Sequence, residues 1–345
     1  MVAALITGLS GPALTDDERS FCRDMQPAGA ILFRRNVVDR DQLRRLIGDV
    51  RKAVGRDDFL ILIDQEGGRV QRLKPPVARL LPPAAAYAEL YSGDPGAGMA
   101  AAFAVARLTA EELRSFGITM NCAPVVDLPV EGAHEIISDR AYGTNVAQVV
   151  ALAEAVGHGF MAGGVVPVIK HIPGHGRATA DSHLALPIVA TARSELSDTD
   201  FAPFKALAMM PAAMTAHVVY SAIDSANPAS TSEIVTRDVI RGEIGFDGLL
   251  MSDDLSMKAL SGPMRERARA VIAAGSDLAL HCNGELDEMR DAAAGVPALA
   301  GRAAERFAAA CACTMRSEPY DKGEALQLLA NLIDATPMGD RTPIV

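Results

Sequence analysis

The sequence predicts an α/β protein whose single domain is a (β/α)8 TIM-type barrel. Three observations support this fold class. Eight short, β-rich apolar runs alternate with longer helical patterns over 345 residues, which indicates a parallel sheet. No shift in composition marks a domain boundary. Polar residues stand where several strands end, which is where barrel enzymes build their sites; these residues are Asp64, Asp127, Lys170-His171, His217, Asp253 and His281.

Eight strands are predicted along the chain. The third is an apolar run without alternation, of the kind buried on both faces of a parallel sheet. Closure into a barrel is favoured because the number of strand–helix units is eight. The strands are expected at residues 3–9, 29–33, 59–64, 118–126, 165–169, 212–218, 248–251 and 277–280.

Helices are predicted between these strands. Thr15 is a suitable N-cap for the first, because three acidic residues follow it. The stretches 75–83 and 131–145 are predicted to be irregular loops. Further helices should follow residue 317, and a loose tail should begin at about 336. The remaining helices are expected at residues 39–54, 97–115, 147–161, 201–209, 232–244 and 265–274.

Composition excludes several classes of function. The net charge is −10 and no dense Lys/Arg run occurs, which argues against nucleic acid or an anionic membrane as partner and favours a small-molecule substrate. The apolar N-terminus lacks a basic leader and is expected to be a strand and not a signal peptide. No apolar run approaches membrane-spanning length.

The five cysteines are scattered, which fits a reducing cytoplasm. We expect a cytoplasmic monomer.

Three histidines, His171, His175 and His183, lie in the segment 165–187. His171 and His175 have the spacing of two metal ligands on a helix, but Pro173 and Gly174 lie between them, so a metal site is not expected. The two histidines are instead expected to bond loop backbone or a ligand.

Asp181 and His183 flank a serine, but adjacent Ser and His residues cannot easily form the bond that serine catalysis requires. In extended backbone Asp181 could instead orient His183 as a general acid/base. A solvated loop pair is the alternative.

Two further stretches are rich in ionisable groups. Asp253 and Asp254 end an apolar strand, and because successive strand residues point to opposite faces, only one should face the barrel mouth directly. The alternative is a helix N-cap, and periodicity does not distinguish the two residues. The run from Asp64 to Arg72 combines acidic and basic groups suited to gripping hydroxyls, with a surface ion-pair cluster as the alternative. No glycine-rich nucleotide motif follows any strand.

A series of motifs extends over nearly the whole chain: GPALTDDE, GAILFRRN, LIDQEGGRVQRL, NCAPVVDL, ISDRAYG, VIKHIPGHG with ADSH, TAHVVY, IRGEIGFDGLLMSDDLSM and LHCN. In this order, the motifs resemble glycoside hydrolase family 3, in particular its single-domain bacterial β-N-acetylglucosaminidases of peptidoglycan recycling. Two positions depart from the pattern: Ile172 replaces a common aromatic residue, and Ser138 stands where glycine is frequent.

The resemblance implies a retaining mechanism through a covalent glycosyl-enzyme. It assigns Asp253 as the nucleophile, Asp254 as its structural neighbour, and His183 as the acid/base with Asp181 as its partner. It implies no metal and no organic cofactor. The residues that it implies for holding the N-acetylglucosamine unit are Asp64, Arg72, Arg140, Lys170 and His171.

The resemblance implies that the substrate is a non-reducing terminal β-linked N-acetylglucosamine carried by 1,6-anhydro-N-acetylmuramyl peptides. Three alternatives stay open at this point. They are a family 3 β-glucosidase or β-xylosidase, a phosphate-dependent glycoside phosphorylase, and a non-catalytic barrel that binds cell-wall sugars.

Overall fold

A closed barrel of eight parallel strands forms the centre of the protein, so the predicted fold class is confirmed. The computed structural model describes residues 1–130, 132, 137–178 and 185–336. Each strand pairs with its two sequence neighbours, and the first pairs with the last. The strands are β1 Ala3–Gly8, β2 Pro27–Leu32, β3 Leu60–Ile63, β4 Met120–Asn121, β5 Val166–Ile172, β6 Ala212–Thr215, β7 Leu249–Asp254 and β8 Leu278–His281.

Helices connect consecutive strands around the barrel. The α-helices are α1 Asp16–Met25, α2 Arg40–Val54, α3 Ala84–Gly93, α4 Pro95–Phe116, α5 Val146–Ala162, α6 Arg193–Asp198, α7 Phe201–Ala206, α8 Met264–Ala273, α9 Leu286–Ala293, α10 Gly301–Cys313 and α11 Lys322–Ala335. A π-helix, Val235–Glu243, connects β6 to β7. Short 3-10 turns occur at Arg34–Asn36, Ser138–Arg140 and Ala229–Thr231.

The start of α1 shows how local sequence determines an element. The Thr15 hydroxyl oxygen accepts the Glu18 N–H at 3.1 Å, and the Glu18 carboxylate accepts the Thr15 N–H at 2.9 Å. This reciprocal capping box satisfies two N–H groups that the helix itself cannot bond. The N-cap predicted from the sequence is therefore confirmed.

Several element boundaries differ from the predicted ones. Helix α3 follows the proline-rich loop and was not predicted, and β4 has two residues where nine were expected. The predicted helix at 232–244 has π-type hydrogen bonding over most of its length. In the part of the chain that the structure describes, two small sheets lie outside the barrel: Gln65–Gly67 pairs antiparallel with Val70–Gln71, and Ile188–Val189 pairs parallel with Val219–Tyr220.

The hydrophobic core has an inner and an outer layer. Inward-facing strand residues such as Leu62, Met120 and Met251 fill the barrel itself. Outward-facing strand residues pack against apolar stripes of the helices, as in α2, where Leu43, Leu46, Ile47, Val50 and Val54 are buried at helical spacing. Among the described residues no helix is both long and apolar enough to cross a membrane. The filled interior leaves the carboxyl ends of the strands to form the site.

Candidate active site

A pocket of about 290 Å3 opens at the carboxyl ends of the barrel strands. Its wall includes residues that follow β2, β3, β5, β7 and β8. Six of the eight residues predicted for the site lie in this wall, namely Asp64, Arg72, Arg140, Lys170, His171 and Asp253. The other two, Asp181 and His183, lie outside the described residues.

Five charged side chains form a continuous series along the pocket, which we call the charge ladder: Arg72, Asp64, Lys170, Glu66 and Arg140. Arg72 Nη2 lies 3.3 Å from Asp64 Oδ2, and Lys170 Nζ lies 2.9 Å from Asp64 Oδ1. The same ammonium group lies 2.7 Å from Glu66 Oε1. Arg140 donates from Nε and Nη2 to the two Glu66 oxygens, each at 2.8 Å. Anions and cations thus alternate along the ladder.

A short hairpin after β3 places three members of the ladder. Residues 64 and 66 are two apart in extended backbone, so their side chains reach the same side. The turn of the hairpin requires glycine at Gly67, where φ is 113° and a Cβ would lie 2.1 Å from the Pro82 carbonyl oxygen. The Arg72 N–H then donates to the Asp64 carbonyl at 3.3 Å, which brings the Arg72 side chain back beside Asp64.

Asp64, Glu66 and Lys170 are charged at neutral pH. Burial by itself raises the pKa of Asp64, but Lys170 and Arg72 outweigh it and hold that pKa well below its usual range. Burial likewise raises the pKa of Glu66, but Arg140 and Lys170 outweigh burial and lower this pKa to about 2. Burial would lower the pKa of Lys170, yet the two carboxylates raise it above its ordinary value. Such a fixed charge array can bind several hydroxyl groups of a neutral sugar.

His171 is held by a carboxylate behind the pocket wall. Asp127, which is fully buried after β4, accepts the His171 backbone N–H at 3.0 Å and contacts His171 Nδ1 at 2.7 Å. Burial raises the pKa of Asp127, but His171 overrides this effect and the pKa falls to about 2. Because an ionised carboxylate only accepts, Nδ1 carries the hydrogen. The remaining ring nitrogen, Nε2, is then the one available to a ligand.

His175 is also part of the pocket wall. Its backbone N–H donates to Asp127 at 2.7 Å, and its ring centre lies 5.5 Å from that of His171. Burial, reinforced by His171, lowers the pKa of His175 to about 4, so the imidazole is neutral at pH 7. The bond to Asp127 comes from the main chain of His175, so the predicted bond of its imidazole to loop backbone or a ligand stays a prediction.

Asp253 and Asp254 have different surroundings although both reach the pocket wall. The Asp254 N–H donates to Asp253 Oδ1 at 2.8 Å. The Asp254 carboxylate accepts the backbone N–H groups of Ser256 and Cys282, both at 3.0 Å, and the Ser256 hydroxyl. Both residues therefore border the cavity, and the Asp254 carboxylate also ties the end of β7 to β8.

Glu66 in the pocket wall and Asp127 behind it were not among the predicted site residues. Each lies beside predicted site residues: Glu66 contacts Lys170, and Asp127 contacts His171. The sequence shows that both follow a strand, but it does not show which residues they contact. Phe33, Arg35 and Asn283 form another part of the wall. The Arg35 guanidinium lies 4.8 Å from the Phe33 ring centre and bonds the Cys282 carbonyl, so its placement depends on residues far apart in the chain. Within the described ranges, no three His, Cys, Asp or Glu side chains are grouped as metal ligands.

The fold and the site together define a barrel enzyme with a small, charged pocket suited to one sugar ring. The Glycosyl hydrolase family 3 N terminal domain matches residues 2–309. The chain therefore belongs to glycoside hydrolase family 3, as the sequence predicted.

Individual relatives agree with this membership. The beta-hexosaminidase of Alkalilimnicola ehrlichii is 42% identical over 287 residues, which are 82% of this chain and 81% of that protein. The structure of NagZ from Neisseria gonorrhoeae in complex with N-trifluoroacetyl-D-glucosamine superposes with a TM-score of 0.85 at 33% identity, and covers 97% of this chain and 98% of that one. The family 3 beta-N-acetylglucosaminidase of a Paenibacillus species has a TM-score of 0.85 at 30% identity over 95% of this chain, which spans only 66% of that protein. These names agree with the predicted β-N-acetylhexosaminidase class.

Proposed function

We propose that this enzyme is a retaining exo-glycosidase that releases non-reducing terminal β-linked N-acetylglucosamine. The observation that carries the proposal is that Asp253 shares one pocket of about 290 Å3 with the charge ladder. A pocket at the small end of the range for ligand sites suits a single sugar unit. Similarity to beta-hexosaminidases over about four fifths of the chain supports the choice of sugar.

In the first step, Asp253 attacks the anomeric carbon and forms a covalent glycosyl-aspartate bond. The bond from that carbon to the leaving oxygen breaks, and its electron pair stays with the oxygen. His183, oriented by Asp181, gives its proton to this oxygen, so that the aglycone leaves as a neutral alcohol. In this proposal Asp64, Arg72, Arg140, Lys170 and His171 hold the hydroxyl and acetamido groups of the sugar.

In the second step, His183 takes a proton from water, and the water oxygen attacks the anomeric carbon from the face opposite Asp253. The glycosyl–aspartate bond breaks and returns its electron pair to the carboxylate. Two inversions restore the β configuration. His183 ends protonated and Asp253 ionised, which regenerates the starting state without any cofactor.

The aglycone is the finer part of the proposal. We place a 1,6-anhydro-N-acetylmuramyl peptide there, as in cell-wall recycling, on the basis of the motifs that resemble enzymes of that process. We also propose that the chain is a single catalytic domain, acts as a monomer and works in the cytoplasm. The last suggestion is supported by five cysteines that are all free.

Covalent labelling tests the central claim. A 5-fluorinated N-acetylglucosaminyl fluoride should form a stable glycosyl-enzyme, because the fluorine slows the second step, which passes through an oxocarbenium-like transition state. Mass spectrometry of the digested protein should find the sugar on the peptide containing Asp253, at that residue. Label at another carboxylate, or no label with an active enzyme, would contradict the mechanism.

The choice of substrate and acceptor requires a separate assay. Turnover of an aryl N-acetylglucosaminide should exceed that of the matching aryl glucoside and xyloside. Added phosphate should leave the product as free N-acetylglucosamine. A phosphorylated sugar product would identify a phosphorylase, and binding without any turnover would identify a sugar-binding barrel.

A further inference from the structure

His217 is a buried histidine that lies outside the pocket wall but contacts the end of β7. Its side chain follows β6 and is fully inaccessible to solvent. Nε2 lies 3.0 Å from the main-chain carbonyl oxygen of Asp254, and Nδ1 lies 2.7 Å from the Ser230 hydroxyl oxygen. Neither His217 nor Ser230 has a part in the sugar contacts or proton transfers proposed above. Their position next to the proposed nucleophile therefore calls for a different explanation.

The two contacts of His217 determine where its hydrogen lies. A carbonyl oxygen can only accept, so Nε2 must carry a hydrogen and donate it to Asp254. In the neutral imidazole Nδ1 is then the acceptor, and the Ser230 hydroxyl donates to it. The bond to Ser230 thus selects the tautomer that can bond Asp254.

Ser230 is itself held in place by backbone. It lies in the 3-10 turn Ala229–Thr231, in which the Ala229 N–H donates to the Val218 carbonyl at 2.8 Å. The Ser230 N–H donates to the Ala216 carbonyl at 3.2 Å. The residues on either side of His217 therefore bond the turn that carries its partner. This arrangement keeps the hydroxyl aligned with the imidazole.

His217 contacts Asp254, whose backbone N–H bonds the Asp253 carboxylate. The Asp254 carbonyl accepts a second, longer bond from the Met257 N–H at 3.2 Å. The Asp254 N–H donates to Asp253 Oδ1 at 2.8 Å, and its carboxylate accepts the Cys282 N–H at 3.0 Å. His217 thus supports one side of a residue whose amide holds the Asp253 carboxylate.

We propose that His217 and Ser230 are positioning residues that hold Asp254 so that its amide keeps the Asp253 carboxylate in its attacking orientation. The inference builds on the proposed function, in which Asp253 is the nucleophile. It assigns His217 no contact with substrate and no proton transfer. Its effect should fall on formation of the glycosyl-enzyme and not on binding of the sugar.

The rate of covalent labelling by the 5-fluorinated donor measures this effect. Loss of one buried hydrogen bond in the transition state should slow labelling about fivefold in Ser230→Ala and about tenfold or more in His217→Ala. His217→Gln should recover most of the rate, because a Gln amide can donate to the Asp254 carbonyl and accept from Ser230. The dissociation constant for N-acetylglucosamine, measured by calorimetry, should stay within about twofold of wild type in all three variants.

Ser232→Ala is the matched control. Ser232 is equally buried and close in sequence, but its hydroxyl donates to Asp224 at 2.7 Å and its oxygen accepts the Val235 N–H, away from the pocket. This variant should lose stability without a change in labelling rate. If it slowed labelling as much as Ser230→Ala, a general loosening of the fold would explain the result and the inference would be overturned.

A spectroscopic measurement separates the inference from simple destabilisation and covers the case in which His217→Ala does not fold. Nitrogen-15 NMR of wild type should show His217 Nδ1 without hydrogen and Nε2 with hydrogen. The opposite tautomer, or labelling at the wild-type rate in Ser230→Ala, would overturn the inference. Absence of label on Asp253 in the wild-type protein would instead refute the proposed function, whatever the variants do.

Discussion

Arg140 and Glu66 form a two-point ion pair, with the Nε and Nη2 groups of the arginine each 2.8 Å from a different carboxylate oxygen. Such a fork fixes direction as well as distance, because both groups are planar. Glu66 also contacts the Lys170 ammonium at 2.7 Å. One carboxylate therefore positions two of the cations that we propose as sugar ligands.

Glu66→Gln should weaken substrate binding without removing the nucleophile. The neutral amide cannot accept the Arg140 fork at both atoms, and Lys170 loses one of its two anions. We expect KM for an aryl N-acetylglucosaminide to rise about tenfold or more, since bonds between charged groups contribute about 1.5–3 kcal/mol. Labelling of Asp253 should still go to completion at saturating donor.

A matched control exists for this variant. Glu112 is a largely buried carboxylate that also contacts two arginines, with Arg79 at 3.1 Å and Arg40 at 3.6 Å, but it lies outside the pocket. Glu112→Gln should lower stability and leave KM near the wild-type value. Equal effects of the two substitutions on KM would show that Glu66 acts only through stability.

Asp253→Asn and Asp254→Asn should behave differently although they alter adjacent residues. Asp253→Asn should reduce turnover by about 10,000-fold or more, because the amide is a very poor nucleophile at carbon, and the melting temperature should not change. Asp254→Asn keeps an oxygen that can accept the Ser256 and Cys282 N–H groups, so it should retain measurable activity. An active Asp253→Asn protein and an inactive Asp254→Asn protein would transfer the nucleophile role to Asp254.

His183→Ala should affect substrates according to their leaving groups. An activated aryl leaving group needs little protonation, whereas a sugar or simple alcohol needs the proton that we assign to His183. We expect a rate loss that is at least about a hundredfold greater for the poor leaving group, a difference of roughly 2.7 kcal/mol. Comparison of kcat/KM for the two substrates measures it. Equal losses would rule out the acid role.

His175 should make stability depend on pH in mildly acidic solution. Its pKa is about 4 in the folded protein and about 6.5 in the unfolded chain, so the unfolded state binds the proton more readily. The favourable contribution of neutral His175 is complete above pH 6.5 and is lost as pH falls towards 4, by at most about 3 kcal/mol. Urea unfolding at pH 7.5 and 4.5 should show a smaller loss in His175→Gln than in wild type.

His158 offers the corresponding control, because it is an exposed histidine on α5. His158→Gln should follow the wild-type dependence on pH. If His175→Gln also followed it, the buried imidazole would not be responsible for the acid sensitivity.

Ser138 occupies a backbone conformation that favours glycine. Its φ is 36°, and it begins the turn that carries Arg140 into the pocket. Left-handed backbone costs a residue with a Cβ roughly 1–2 kcal/mol, whereas glycine pays roughly 0.5–1 kcal/mol in unfolded-state entropy. Ser138→Gly should therefore raise the free energy of unfolding by about 0.5 kcal/mol, and Ser138→Ala should not. A loss of stability in Ser138→Gly would show that the serine side chain has a role of its own.

The sequence predicted the order of strands and helices well, because buried parallel strands and amphipathic helices leave strong apolar patterns. It did not predict α3, whose alanine-rich start after Pro83 has little amphipathic pattern. It also could not indicate π-type bonding at Val235–Glu243, because the same side chains are compatible with an α-helix. The length of β4 depends on pairing with its neighbours, which local sequence does not encode.

For the site, polarity at strand ends was informative and the family motifs supplied the roles. The position of Asp64 after a buried apolar strand predicted that it would face the pocket, and it does. The functions of Glu66 and Asp127 in holding Lys170 and His171 could not be predicted, because each pairs with a residue on a different strand. The spacing of Asp64 and Glu66 was a usable signal, since residues two apart in a strand share a face.

The bonds around Asp254 also bear on how this protein can change over evolution. Residue 254 is joined to the next strand through Cys282 and to the preceding one through His217. One residue more or fewer in β7 would exchange the directions of its side chains and break both contacts at once. Insertions and deletions should therefore accumulate at the ends of other strands. A designer who wishes to graft new loops onto this barrel should leave the length of β7 unchanged.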